Sequence, residues 1–162
     1  MKALAFAMEK EKQAEQLYRD LEAKTGDPGF SSIFGLLAEQ EVKHFEALKQ
    51  MQAEAPELTK IDTNVLPRAR DIFSKMKSAV KNFDFDVSHV DLYKKAQQVE
   101  QESRDFYLEK ADEIENPKGK DLFLALAEEE KKHYFLLDNI IEFVNRPQQW
   151  LEDAEWHHLE QY

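Results

Sequence analysis

Two copies of one short motif place a carboxylate and an imidazole three residues apart. The first copy contains Glu41 and His44, and the second contains Glu130 and His133. On an α-helix this spacing brings both side chains to one face, about one turn apart. That face is otherwise apolar in both segments, where an unpaired charged group is costly. The two pairs therefore predict a buried metal site.

Four segments carry apolar residues at alternating steps of three and four, which is the pattern of a helix with one buried stripe. Pro28 and Pro117 suit the first position of the second and the fourth helix. Glu11 and Glu100 stand on the stripes of the first and the third helix, although a charge does not belong there. The predicted helices cover residues 3–24, 28–53, 90–113 and 117–145.

The two halves of the chain are one unit repeated at an offset of 89 residues. The offset relates Glu11 to Glu100, Tyr18 to Tyr107, Glu41 to Glu130 and His44 to His133. Short loops within each half predict an antiparallel helical hairpin. The same hairpin should therefore occur twice.

A long connector, residues 54–88, separates the two hairpins, and a short amphipathic helix is predicted within it over 67–81. The connector can travel the length of a helix of ~25 residues, roughly 38 Å, and start the third helix parallel to the second. Two hairpins joined in this way predict an all-α, ferritin-like four-helix bundle over residues 1–146. Residues 147–162 are predicted to form a short helical tail packed on the bundle.

The four stripe carboxylates are predicted to lie at one depth. Glu11 lies 13 residues before the end of its helix, Glu41 lies 13 residues after the start of the next, and Glu100 and Glu130 give the same counts. Carboxylates packed together in a core repel one another and are driven to protonate, whereas two divalent cations would balance their charge. Carboxylates with a little imidazole and no thiolate suit iron or manganese. The six predicted ligands are Glu11, Glu41, His44, Glu100, Glu130 and His133.

Two tyrosines lie two turns beyond the first-helix and third-helix glutamates. Tyr18 and Tyr107 are either core aromatic residues whose hydroxyls need a partner, or donors of a hydrogen bond to a ligand carboxylate. The two interpretations are compatible. Other polar residues fall off the stripes, Gln40 among them, and six glutamates are expected to be solvated: Glu9, Glu15, Glu39, Glu102, Glu128 and Glu129.

Composition limits the classes of protein and site. The 162 residues contain no cysteine, which excludes disulfides, thiolate zinc sites, iron–sulfur clusters and a rubredoxin-type centre on this chain. The net charge of -11 argues against a nucleic-acid-binding surface. No apolar run approaches the ~18 residues of a transmembrane helix, and no signal peptide is visible. We expect a cytoplasmic protein that binds neither nucleic acid nor membrane.

These motifs resemble the rubrerythrin family of ferritin-like proteins over residues 3–53 and 92–145. The resemblance rests on Glu11 followed by Tyr18, on residues 41–44, and on Glu100, Tyr107 and residues 126–133. It implies a four-helix bundle whose six predicted ligands hold two iron ions. It further implies an oxidoreductase that reduces peroxide or dioxygen, often as a homodimer.

The chain departs from the family pattern in two ways. Rubrerythrin proper adds a rubredoxin-like domain with Cys-bound iron, and without cysteine an external electron donor such as a rubredoxin or a reductase is required. The family also has an extra ligand glutamate at the position of Ser103. A ferroxidase or iron-storage role is therefore the main alternative. Substrate oxygenation and a metal-free structural bundle are the others.

Overall fold

The computed structural model describes residues 2–53, 61–79 and 87–145. These ranges are helical apart from short connections, and a single 3-10 turn, Val87–His89, precedes the fourth helix. The helices are α1 (Lys2–Lys24), α2 (Pro28–Gln52), α3 (Val65–Ala79), α4 (Val90–Glu113) and α5 (Pro117–Asn145). The predicted all-α, ferritin-like bundle is confirmed, and its long helices lie within one residue of their predicted bounds.

In each hairpin a short loop joins the two helices, and a side chain in that loop caps the start of the second helix. The Asp27 carboxylate accepts a hydrogen bond from the backbone N–H of Phe30 at 3.0 Å, and the Asn116 side chain accepts one from Lys118 N at 3.0 Å. Such caps satisfy backbone donors that a helix start leaves free. The two hairpins point in opposite directions, because the start of α2 lies in one apolar cluster with the end of α5, and the end of α2 lies in another with the start of α5.

The helices pack as α1 with α2 and α4 with α5, with further contacts between α1 and α4 and between α2 and α5. Two apolar clusters fill the two ends of the bundle. One contains Leu21, Phe34 and Leu137, and the other contains Leu48 and Phe123. The starts of α2 and α4 lie in the same cluster, so these two helices are parallel, as the long crossover predicts. A polar layer lies between the two clusters.

The connector helix α3 starts two residues before its predicted first residue, and its last two predicted residues, 80 and 81, lie outside the described residues. Val65 and Leu66 are buried in the bundle-end cluster, and this burial supports the additional residues at the start. Pro67 is tolerated because the first turn of a helix needs no N–H donors there. Helix α3 packs on α2 and α5 and so covers one face of the bundle.

Two polar residues that lie off the predicted stripes are buried. Gln40 is fully buried, and its amide donates to Asp62 in the connector at 3.1 Å. Glu129, expected to be solvated, is 1% exposed, with Lys132 Nζ 3.1 Å from its carboxylate. Lys132 also donates to the backbone oxygen of Thr63 at 3.4 Å. The expectation that Glu129 is solvated was wrong, and Gln40 is buried although it lies off the stripe, because the connector covers this face, which helical periodicity alone does not indicate.

None of the helices in the described ranges combines the length and apolar character that a bilayer crossing requires. The predicted tail helix over 147–162 lies outside the described residues. The boundary between bundle and tail at residue 146 stays a prediction.

Asp62 attaches the connector to α2 and should contribute stability that depends on pH. A hydrogen bond from Lys43 at 2.6 Å and one from the backbone of Asn64 lower the pKa of Asp62 from 3.8 to about 2. The folded state therefore favours the ionised carboxylate, and this stabilisation is complete above about pH 4 and lost as the pH falls towards about 2. We expect Asp62→Asn to lower the free energy of unfolding by about 1 kcal/mol at pH 7, since the pair is partly exposed.

Urea unfolding of the unmodified chain and of Asp62→Asn at several pH values measures the difference in their free energies of unfolding. Asp121→Asn, on an exposed position of α5, is the matched control and should change little. A deficit for Asp62→Asn that stays constant down to pH 3 would contradict the assignment.

Candidate metal centre

The structure brings the six predicted side chains together in the polar layer. Each long helix contributes to the group, α1 and α4 one glutamate each and α2 and α5 a glutamate and a histidine each. Every one of these residues is at most 2% exposed. They are Glu11, Glu41, His44, Glu100, Glu130 and His133.

The six side chains form two groups that share two members. In one group, Glu11 and His44 meet Glu41 and Glu130; in the other, Glu100 and His133 meet the same two glutamates. Within each group one potential ligand atom per residue lies within 4.8 Å of the others. Two cations side by side, bridged by two carboxylates, would fit this arrangement. The sequence predicted the six residues but not which of them are shared.

The histidines face the carboxylates of the opposite hairpin. His44 Nδ1 lies 3.1 Å from Glu130 Oε1, and His133 Nδ1 lies 3.0 Å from Glu41 Oε1. The two imidazole rings are stacked, with centroids 5.6 Å apart and an interplanar angle of 6°. Nδ1 is therefore the nitrogen that each histidine presents to the centre.

Each tyrosine reaches across to the other half of the repeat. The Tyr18 hydroxyl donates to Glu100, and the Tyr107 hydroxyl donates to Glu11. Both tyrosines are 1% exposed and also belong to the apolar clusters at opposite ends of the bundle. They are therefore at once core aromatic residues and hydrogen-bond donors to the carboxylates that are not shared.

Burial and mutual repulsion set the charges of the metal-free group. Burial and the charges of Glu11 and Glu100 raise the pKa of Glu41 well above its usual value, and burial and the same neighbours raise that of Glu130. Burial opposes the ionisation of Glu11, but contacts with Glu41, His44 and Tyr107 bring its pKa to about 2.

The pKa of His44 is shifted in the opposite direction to that of a buried histidine without charged neighbours. Burial alone would lower its pKa, but the Glu11 and Glu130 carboxylates raise it well above its usual value. Burial and the charge of Glu100 also raise the pKa of the Tyr18 hydroxyl. In the absence of a cation, bound protons therefore reduce the repulsion among the carboxylates.

Unsatisfied buried atoms show that the group suits a cation. Among the described residues, one carboxylate oxygen on each of Glu11, Glu41 and Glu100 is buried without a hydrogen bond. A buried acceptor without a donor is costly, and more so when it is charged. Bound cations would satisfy these oxygens and balance the four carboxylates. The residues present therefore fit a dinuclear centre in kind and number.

Next to the ligands, sequence reasoning missed a buried pair that the repeat relates. Gln40 and Glu129 are 89 positions apart and each directly precedes a shared glutamate. Gln40 donates to Asp62 of the connector, whereas Glu129 pairs with Lys132 on α5, which itself donates to Thr63 of the connector. The repeat offset was the available signal, because it marks the two positions as equivalent.

A family model described as Rubrerythrin matches residues 2–141, with a further match over 91–155. The chain belongs to the rubrerythrin family. Its buried Glu and His cluster fits the di-iron centre of a rubrerythrin-family protein. Comparison with curated proteins and with solved structures gave no match.

The tyrosine hydrogen bonds should strengthen metal binding. We expect Tyr18→Phe to weaken binding of the second cation by about tenfold or more, because groups that orient ligands contribute on that scale. Isothermal titration with Co²⁺ measures the effect. Tyr93→Phe, which changes a buried tyrosine in the apolar cluster, is the control. Equal affinities in Tyr18→Phe and the unmodified chain would contradict this role.

Cation binding should displace protons. The pKa values of Glu41, Glu130 and His44 are raised without metal, so these groups bind protons more readily than usual, and a bound cation must displace the protons that they hold. We expect affinity to increase with pH by about tenfold per unit for each proton released. Calorimetry in buffers of different ionisation enthalpy counts these protons. A titration without proton release would refute this charge assignment.

Proposed function

We propose that this chain is a di-iron oxidoreductase of the rubrerythrin family, which reduces peroxide or dioxygen with electrons from an external donor. The observation that supports it most is the pair of donor groups that share Glu41 and Glu130. A site that holds two cations side by side can deliver two electrons together. Reduction of hydrogen peroxide to two waters consumes two electrons and two protons.

The proposed roles of the chain's residues follow from their positions. Glu41 and Glu130 belong to both donor groups and would help to hold both ions, while Glu11 with His44 and Glu100 with His133 would each help to hold one. The chemistry that a di-iron centre supplies is two electrons, one from each ion. The apolar clusters close the site towards both ends of the bundle.

Two tyrosines are positioned to keep their hydroxyl protons next to the metal centre. The phenol oxygens of Tyr18 and Tyr107 hold their protons against Glu100 and Glu11, and burial raises the pKa of both hydroxyls. They therefore remain neutral donors and fix the orientation of the two terminal carboxylates. With their orientation fixed, these carboxylates would offer the same donor atoms to the metal ions in the reduced and in the oxidised state.

Electrons must arrive from a separate centre, since this chain has no cysteine from which to build a thiolate relay. A rubredoxin or a reductase is the proposed donor. We also propose a cytoplasmic homodimer, on the basis of family membership. Analytical ultracentrifugation would test the dimer.

One observation favours the alternative, a ferroxidase or iron-storage role. Ser103, buried near the centre on α4, replaces the extra carboxylate that the family pattern has at this position. The ligand set is therefore symmetric between the two halves, as in simpler ferritin-like sites. The experiment below separates the two functions.

Anaerobic loading with Fe(II), followed by addition of peroxide or air, tests the proposal. We expect oxidation of two Fe(II) per chain, one for each donor group, and faster oxidation with peroxide than with air. Oxidation that continues far beyond this number with soluble, bound iron would favour storage. Failure to bind iron would refute the proposed function.

The double substitution His44→Leu and His133→Leu is the matched control. The apolar clusters on either side of the polar layer hold the helices together without these histidines, so the bundle should remain helical by circular dichroism while iron binding is lost. A variant that still bound two irons with unchanged spectra would show that these histidines are not ligands.

A further inference from the structure

The two halves of the centre have matching ligands but different surroundings. Between α4 and α5, a cavity of about 260 Å³ is partly open to the outside, and its lining includes Glu100 and Glu130. Its walls include Gln101, Arg104 and Tyr134. At ~30 Å³ per molecule this space is large enough for several waters or for a small solute with its hydration shell.

The equivalent positions on the other hairpin are filled differently. Lys12 stands where Gln101 does, and Phe45 stands where Tyr134 does, each 89 positions earlier. The Lys12 ammonium lies over the Phe45 ring, 4.9 Å from its centroid. This cation–π contact places a long side chain across the face between α1 and α2.

The chemistry of the cavity suits a small hydrogen-bonding molecule. Arg104 offers N–H donors on the α4 side, at a position where the first hairpin has Glu15. On the far side, the Gln97 amide donates to Asp138 and to the backbone oxygen of Tyr134, at 3.3 Å in each case. These bonds join α4 to α5 next to the cavity, at two residues that also line it, Tyr134 and Asp138.

We propose that the α4–α5 cavity is the portal of the centre, through which peroxide-sized, hydrogen-bonding oxidants reach the side of Glu100 and His133. The contact of Lys12 with Phe45 closes the equivalent route on the α1–α2 side. The inference rests on the proposed function. It makes the two halves of the repeat unequal: both supply ligands, but only the second admits the reactant.

Because the chain contains no cysteine, a single introduced thiol can be modified selectively. Gln101→Cys and Lys12→Cys each introduce a single thiol, at the portal and at its repeat-related counterpart. Each folded, iron-loaded protein is capped with either a methylthio group or a bulky maleimide dye, so the two caps are compared on one variant. The probe is azide, an anion about the size of peroxide. Its association with the oxidised centre is followed by stopped-flow absorbance, and bound iron is counted for each sample.

The portal predicts that the bulky cap at residue 101 slows azide association at least about tenfold relative to the small cap. At residue 12 the two caps should give the same rate. Equal rates with both caps at residue 101, or equal slowing at both residues, would overturn the portal. An unmodified chain that binds no iron would overturn the proposed function and the portal together, whereas a failed rate pattern with two irons bound overturns the portal alone.

Discussion

The structure depends on one electrostatic constraint, the burial of four carboxylates in a single layer of the bundle. Side chains this close and this far from water cannot all be ionised unless positive charge is placed among them. Without metal, protons meet that need, as the raised pKa values of Glu41, Glu130 and His44 indicate. The apolar clusters at both ends hold the helices that force these groups together.

The repeat explains why the centre is nearly symmetric. Each hairpin supplies one terminal glutamate, one shared glutamate and one histidine, and each tyrosine binds the terminal glutamate of the other half. These exchanged hydrogen bonds make the two hairpins one unit. The surroundings break the symmetry, because a single connector cannot cover both hairpins equally, and because Lys12 and Gln101 differ in length and charge.

The departures from the family pattern act on the chemistry and leave the fold intact. Ser103 occupies a buried position on α4 without disturbing the packing, since it is small. The bundle accordingly has six candidate ligands that are equivalent in pairs. The absence of cysteine means that this chain has no thiolate with which to bind a rubredoxin-type iron.

The sequence by itself determined the helices, the repeat and the six ligand candidates, because periodicity and offset depend only on the local backbone and on counting. It also placed Tyr18 and Tyr107 near the carboxylates. Only the tertiary structure decided which glutamates are shared, that each tyrosine crosses to the opposite half, and that Gln40 and Glu129 are buried. Those features depend on how separate helices and the connector approach one another, and helical periodicity within one segment carries no information about a neighbour that packs against it.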